Sequence, residues 1–370
     1  MVHKKTITAA SLVQEGHPIA TQAVPADFAW LRDSTGSETQ TLHFHLENGC
    51  TGYVQIAWAY LALTTTIQTN AMFALPGQPC VFETHNGHNL KVKNNSQEYE
   101  CKGLAMSWNK DYTKLSIKYT AGRERSPKGA TATLEFVRKS DGYKIGDGKN
   151  YIGDGIAQHS FYPTGEVTAQ GEVGGTKFES KGLAMFVHAH SGNIMPYNVG
   201  AEWNTVFFVG HPESIPVDQR TTANSSTYHV LQYTTPKSYG SVSCSNAGLT
   251  DSNGLRAIFS NTQVEHHDLV EDKNGSGYSL PDRVVFTSTG KTVDGKSAKV
   301  VFDSKPTQRL HDIDVLREMP YVLRRLVQAL ITKPFVFERL EKDTKVRIEI
   351  EGEEPYTLVG VAFDELTLMK

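Results

Sequence analysis

Catalytic and redox signatures are what this chain lacks. Its four cysteines are Cys50, Cys80, Cys101 and Cys244, and no two have CxxC spacing, which excludes a zinc knuckle or a thioredoxin-like site. There is no HExxH pair and no GxSxG elbow. The closely spaced glycines of Gly146-Asp147-Gly148 neither follow a strand nor open a helix, so no nucleotide fingerprint is present. Excess charge of one sign is missing too. Lys plus Arg is 37 and Asp plus Glu is 40, a formal charge of -3, which gives no reason to expect nucleic-acid binding.

Long apolar runs are also absent. Met1-Val2-His3-Lys4-Lys5-Thr6-Ile7-Thr8 leads into no continuous apolar stretch, so no secretory signal is expected, and no later stretch reads as a membrane-spanning helix. The sequons at Asn94, Asn224 and Asn274 then carry little weight. The expectation is a soluble protein of a reducing compartment, with thiols rather than disulfides.

What the chain has in quantity is β grammar. At 370 residues it is long for one domain, so two packed domains are the natural expectation. Gly at 31 and Pro at 15, with frequent Thr and aromatic residues, suit turn-rich β structure. After Trp30 the period is two. Leu42, Phe44 and Leu46 share one strand face, and past Glu47-Asn48-Gly49 so do Val54, Ile56, Trp58 and Tyr60, which predicts an antiparallel hairpin. Further strands are expected at 64–73, 99–108, 114–119, 132–138, 156–162 and 182–189. About eight strands suffice to close a small barrel able to hold a small ligand.

The second half repeats the pattern, with strands expected at 204–209, 228–235, 254–260, 283–289, 298–303, 344–351 and 356–369. Trp203 lies 173 residues after Trp30, near half the chain. A competing repeat, Lys102-Gly103-Leu104-Ala105-Met106 against Lys181-Gly182-Leu183-Ala184-Met185, has an offset of only 79. It reads as two similar strands rather than as the duplication itself. One helix is expected over 312–332, with Asp312 as N-cap and Ile313, Leu316, Met319, Leu323, Leu326 and Leu330 on one stripe. Pro320 should kink it, and Lys333-Pro334 ends it.

Few side chains invite chemistry. His43 and His45 are two apart on a strand, as are His188 and His190, and His266-His267-Asp268 follows. Hydrogen-bonded or solvent-facing histidines are the commoner outcome, and no metal is expected. The aromatic residues Trp58, Trp108, Trp203, Phe207, Phe208 and Tyr233 could line an apolar pocket or simply fill a core. Of these, Trp58, Trp203, Phe208 and Tyr233 are the candidate ligand-lining set. The arginines of the expected helix are read as solvated, with its apolar stripe packed on a barrel wall.

Several segments, in order, resemble the fungal oxidative-stress survival factor family. They are Ser37-Glu38-Thr39-Gln40-Thr41, Gly52-Tyr53-Val54-Gln55-Ile56, Lys181-Gly182-Leu183-Ala184-Met185-Phe186, Ala201-Glu202-Trp203-Asn204 and Tyr233-Thr234-Thr235-Pro236-Lys237-Ser238-Tyr239-Gly240. The tail agrees at Glu318-Met319-Pro320-Tyr321, Thr332-Lys333-Pro334 and Gly360-Val361-Ala362-Phe363-Asp364-Glu365. The resemblance implies an all-β chain of two tandem lipocalin-like β-barrel domains with a C-terminal amphipathic helix. On that basis residues 1–27 are a polar, partly disordered leader, 28–192 the first domain and 193–370 the second.

The resemblance also implies function. It points to a non-enzymatic, cofactor-free lipid-binding or transfer protein. The ligand would be ceramide or a related sphingolipid, and the role support of survival under oxidative stress. Such a protein would be cytoplasmic and nuclear, with transient contact to endoplasmic reticulum and Golgi membranes. The polar leader, broken by Gly16, Pro18 and Pro25, offers no evident amphipathic helix for membrane docking. Two rivals remain: a lipocalin-like isomerase or cyclase acting on an apolar molecule, and a stress adaptor without ligand.

Overall fold

The computed structural model describes residues 5–32, 35–61, 64–87, 89–122, 129–318 and 334–369. The chain divides into two compact units. One comprises Gln22–Lys144 with Gly155–Pro196, and the other Met1–Thr21, Ile145–Asp154 and Tyr197–Lys370. These units differ from the expected boundary at 192/193 and the expected leader 1–27 because distant stretches of chain pair. Thr6 and Ile7 pair with Ile152 and Tyr151, and Thr8–Gln14 is ordered by local capping. The Thr8 side chain accepts from the Ser11 amide at 3.0 Å, Ser11 Oγ accepts from the Thr8 amide at 3.1 Å, and the helix Ala9–Gln14 (α1) follows.

The first unit is built on one antiparallel sheet. Its strands are β1 Gly36–Leu46, β2 Thr51–Leu61, β3 Thr64–Ala74, β4 Val81–Gly87, β5 Lys91–Lys93, β6 Glu98–Cys101, β7 Leu104–Trp108, β8 Lys114–Tyr119, β9 Thr131–Arg138, β10 Gly155–Val173 and β11 Thr176–Gly192. They run in the order β4-β3-β2-β1-β11-β10-β9-β8-β7-β6-β5. Alternation sends one parity inward, where Leu42, Phe44, Val54, Ile56, Phe73, Leu115, Ile117, Leu134, Phe136, Tyr162 and Phe186 form a single core. The terminal strands β4 and β5 share no ladder in this order, so the sheet is a half-barrel rather than a hydrogen-bonded closed one.

A side chain does part of the closing. Glu83 on β4 accepts from Tyr119 Oη at 2.9 Å and from the Ala130 amide at 3.0 Å. These bonds tie one end of the sheet order to strands far along it. Burial pushes the Glu83 carboxyl up, but donors including His85, Ala130 and Tyr119 outweigh it and leave the group below its ordinary value.

The second unit contains β12 Glu202–Pro212, β13 Ser226–Thr234, β14 Ser243–Asp251, β15 Gly254–Glu271, β16 Ser279–Thr292, β17 Ser297–Ser304, β18 Gln308–Asp314, β19 Phe335–Ile350 and β20 Tyr356–Leu368. The order is β17-β16-β15-β14-β13-β12-β20-β19-β18, and β17 also pairs with β19, from Ala298↔Ile350 to Phe302↔Val346. That pairing closes an eight-stranded barrel. Its inner parity is apolar: Val206, Phe208, Tyr228, Val230, Phe259, Phe286, Phe302, Val346, Ile348 and Leu358 pack together.

Two local differences from the sequence reading have clear causes. The repeated pentapeptide takes two structures. Lys102-Gly103 is a turn with Gly103 at φ 77°, and Leu104 points into the core. Gly182 instead lies in mid-strand opposite Leu46, where a Cβ would sit 2.0 Å from the His45 carbonyl oxygen. There Ala184 faces the core and Leu183 does not, so identical letters present opposite faces. The expected helix at 312–332 begins later. Residues 308–314 pair with β19 as a strand, and the helix Val315–Glu318 (α2) starts after Asp314, whose carboxylate accepts from the Arg317 amide at 3.1 Å. Asp312 is engaged by Arg309 instead. The rest of that helix falls outside the described residues.

Candidate functional site

At one end of the half-barrel the inward parity turns from apolar to polar. Glu38 and Gln40 share the face of Leu42 and Phe44, and both are fully buried. Strand register extends the polar positions sideways. Ser160, His188, Gln40, Ile56 and Thr69 form one row across five strands, from β10 through β11, β1 and β2 to β3. Glu38 and Trp58 are direct partners in the next row. Buried polar groups cost free energy unless they are hydrogen-bonded, so this belt needs an explanation.

Part of it lies in the segment 24–32, a strap without sheet pairing that crosses this end. Pro25–Phe28 is a single 3-10 turn, and Phe28 is fully buried, stacked on Tyr162 with centroids 4.1 Å apart and an interplanar angle of 12°. The strap backbone meets the belt group by group. Gln40 Nε2 donates to the Phe28 carbonyl at 2.9 Å, and His188 Nδ1 lies 2.6 Å from the Asp27 carbonyl. The Glu38 carboxylate accepts from the Leu31 amide at 3.0 Å and the Arg32 amide at 2.9 Å. Asp27 also pairs with Lys144 Nζ at 2.8 Å.

The electrostatics follow from these contacts. Burial alone would raise the Glu38 carboxyl. His188, 2.7 Å away at Nε2, and the two backbone amides overcome that and hold it below its ordinary value. Both ring nitrogens of His188 face oxygens. The Tyr99 hydroxyl donates to Gln40 Oε1, and Tyr99 packs edge-on against Trp30 at 5.7 Å. On the strap and the belt, Trp30 Nε1, Thr69 Oγ1 and Ser160 Oγ are among the buried side-chain atoms of the described residues that have no hydrogen-bond partner.

Of the candidate lining residues, Trp58 lies at the belt, buried on the inner face beside Glu38. Phe208 is inside the closed barrel of the other unit, 6.5 Å from Phe302. Trp203 and Tyr233 are cross-strand partners stacked at 4.3 Å, but their parity is opposite to that of Val206 and Phe208, so they face outward from that barrel. Trp58 thus belongs to one unit and Phe208, Trp203 and Tyr233 to the other, where Trp203 and Tyr233 touch. Glu38, Gln40, Thr69 and Ser160 escaped the sequence reading because polar letters on a strand read as solvent-facing, and Phe28 because it lies on a 3-10 turn outside any strand pattern. Their shared parity with Leu42 and Tyr162 was the available signal.

The histidines take structural roles. His45 Nδ1 lies 2.7 Å from Thr51 Oγ1. Burial lowers His43 to about 3, and His159 to about 3 as well. No group of three or more His, Cys, Asp or Glu placed to hold a metal occurs among the described residues. The closed barrel has its own polar end, where Arg339 donates to Asp364 at 3.0 and 2.6 Å and to the Pro281 carbonyl at 2.9 Å. His266 Nε2 lies 2.9 Å from Asn204 Oδ1, which belongs to a chain leading to Gln232. A separate open groove of about 600 Å³ is lined by Lys118, Thr133, Gln170 and Glu179, among others.

An apolar interior beneath a buried polar end, in a half-barrel and in a closed eight-stranded barrel, defines a lipocalin-like all-β protein. The chain belongs to the Svf1 family, whose model matches residues 2–370. It is similar to the ceramide-binding protein svf-1 of Neurospora crassa, 27% identical over 365 residues, covering 94% of this chain and 90% of that one. Its fold is similar to CghA, with TM-score 0.63 at 9% identity over 95% of this chain and 98% of that one. A putative AttH from Nitrosomonas europaea gives TM-score 0.61 at 12% identity, over 93% and 95%. No helix among the described residues is long and apolar enough to cross a membrane.

Proposed function

We propose that this protein binds ceramide or a closely related sphingolipid without transforming it, and that the half-barrel interior is the binding site. The observation that carries the reading is the buried belt of Glu38, Gln40, Thr69, Ser160 and His188 above an aromatic and aliphatic interior. A ceramide pairs two long apolar chains with one amide and hydroxyl groups. Its chains gain about 0.8 kcal/mol per buried methylene, while its amide and hydroxyls require partners of the kind the belt supplies. The Neurospora crassa relative bears the name of a ceramide-binding protein, which supports the assignment. A cytosolic carrier touching endoplasmic reticulum and Golgi membranes in passing, and aiding survival of oxidative stress, is the cellular role that fits this chemistry.

Mass spectrometry of lipids extracted from the purified protein tests the reading. An intact co-purifying sphingolipid is expected; protein that is empty and also fails to take up ceramide would refute it. A second reading rests on the Glu38–His188 contact, a buried acid–base pair of the kind a lipocalin-like enzyme would use on an apolar substrate. Recovery of a chemically altered lipid in the same experiment would favour that alternative.

A further inference from the structure

We infer that the strap 24–32 is a built-in occupant of the headgroup site, withdrawn when lipid binds; this rests on the half-barrel reading above. Every contact the strap makes with the belt has a counterpart in an amide-bearing lipid headgroup. The Asp27 and Phe28 carbonyls face His188 Nδ1 and Gln40 Nε2, as the carbonyl of an N-acyl amide would. The Leu31 and Arg32 amides are donated to Glu38, as a lipid N–H or hydroxyl would be. Phe28, stacked on Tyr162, fills the apolar space immediately below, the place of the first chain methylenes. The strap thus copies polar head and apolar root together.

Three further points single it out. Phe28 and Trp30 are core aromatics carried on a segment without sheet pairing. Phe44, Phe73, Phe136, Tyr162 and Phe186 lie on strands, so removing them would break ladders. The strap can leave without breaking a strand ladder, losing its own hydrogen bonds to Glu38, Gln40 and His188 and the packing of Phe28 and Trp30. The fit is also incomplete. Ser160 Oγ and Thr69 Oγ1 sit in the same row as Gln40 and His188, yet the strap leaves both without a partner. A ligand with two hydroxyls and an amide has groups to offer there that a peptide backbone lacks. Finally, the carboxylate that receives the strap is fully buried, so on withdrawal it must gain new donors, and the ligand supplies them.

The test is amide hydrogen exchange on the full chain, with and without C16-ceramide delivered from phosphatidylcholine vesicles, alongside a Phe28→Ala variant. If the strap is displaced, exchange at Leu31 and Arg32 accelerates at least tenfold in the loaded protein, and F28A takes up ceramide at least threefold faster. Uptake by F28A alone, with none by the unaltered chain, would overturn the inference, because the lipid would then fail to withdraw the strap. Ceramide binding with exchange at Leu31 and Arg32 unchanged or slowed overturns the strap's role and leaves the lipid reading intact. If neither protein takes up ceramide while F28A retains its circular dichroism, both fall.

Discussion

His188 bridges two oxygens, with Nε2 2.7 Å from the Glu38 carboxylate and Nδ1 2.6 Å from the Asp27 carbonyl. One side chain on β11 therefore couples a buried acid on β1 to the backbone of the strap. A strand residue expected to be a bland polar histidine is the link between sheet and cap.

Glu38 makes folding sensitive to acid. Its folded-state pKa lies below the ordinary 4.5, so its stabilising contribution is complete above pH 4.5 and disappears as pH falls through the lowered value. Glu38→Gln should remove that acid-dependent component. It should also cost about 1–3 kcal/mol at pH 7, as leaving buried donors without their charged acceptor does. Urea unfolding of both proteins at a series of pH values checks this, and an unchanged acid limb in E38Q would contradict it.

Closure through Glu83 predicts local rather than global loosening. Glu83→Ala leaves Tyr119 Oη and the Ala130 amide without their acceptor, a loss of about 1–3 kcal/mol. Exchange protection in β4 should fall while that of β1 and β11, in mid-sheet, persists. Uniform loss of protection across the unit would mean the contact matters in another way.

In the closed barrel, Arg339 and Asp364 form a buried pair. Burial holds the Asp364 carboxyl above its ordinary value, and Arg339 offsets only part of that rise. Replacing either residue alone strands the other, at about 3–5 kcal/mol. The double variant Arg339→Met with Asp364→Leu should be more stable than either single one. Thermal unfolding of the three proteins gives the coupling.

Two aromatic positions separate binding from packing. Trp58 adjoins Glu38 at the belt, whereas Phe208 belongs to the other unit's core. Trp58→Ala should weaken ceramide uptake by tenfold or more. Phe208→Ala should lower stability by about 3–5 kcal/mol and leave uptake by the folded protein unchanged. The reverse pattern would move the site to the closed barrel.

The thiols should differ sharply in reactivity. Cys50, Cys101 and Cys244 are buried, and burial pushes each up to about 12, which suppresses the thiolate. Cys80 is half-exposed. An Ellman titration of the native protein should register one fast thiol, with the other three appearing on unfolding.

Much of the architecture was legible from letters alone. Lys114–Tyr119 alternates so regularly that the strand boundaries coincide with the expected ones, and Leu42-x-Phe44-x-Leu46 marks the inner face of β1. Long strands were underestimated. β10 runs to Val173 and β15 to Glu271, well past their apolar stretches, because ladder hydrogen bonds sustain a strand where hydrophobic periodicity has faded. The site was harder to read. Glu38, Gln40, Thr69 and Ser160 are letters found on any solvated strand, and only their shared row inside a curled sheet makes them a belt.

The sequence by itself determined the β class, the two-unit scale and the inward parity of the core strands, since period-two alternation is a local property of the chain. Tertiary structure decided the rest: which sheet closes on itself, which polar residues are sealed from water, and that a strap of nine residues lies over them. Those depend on pairings between residues more than a hundred positions apart, such as Glu38 with His188, and no local pattern encodes such a partner.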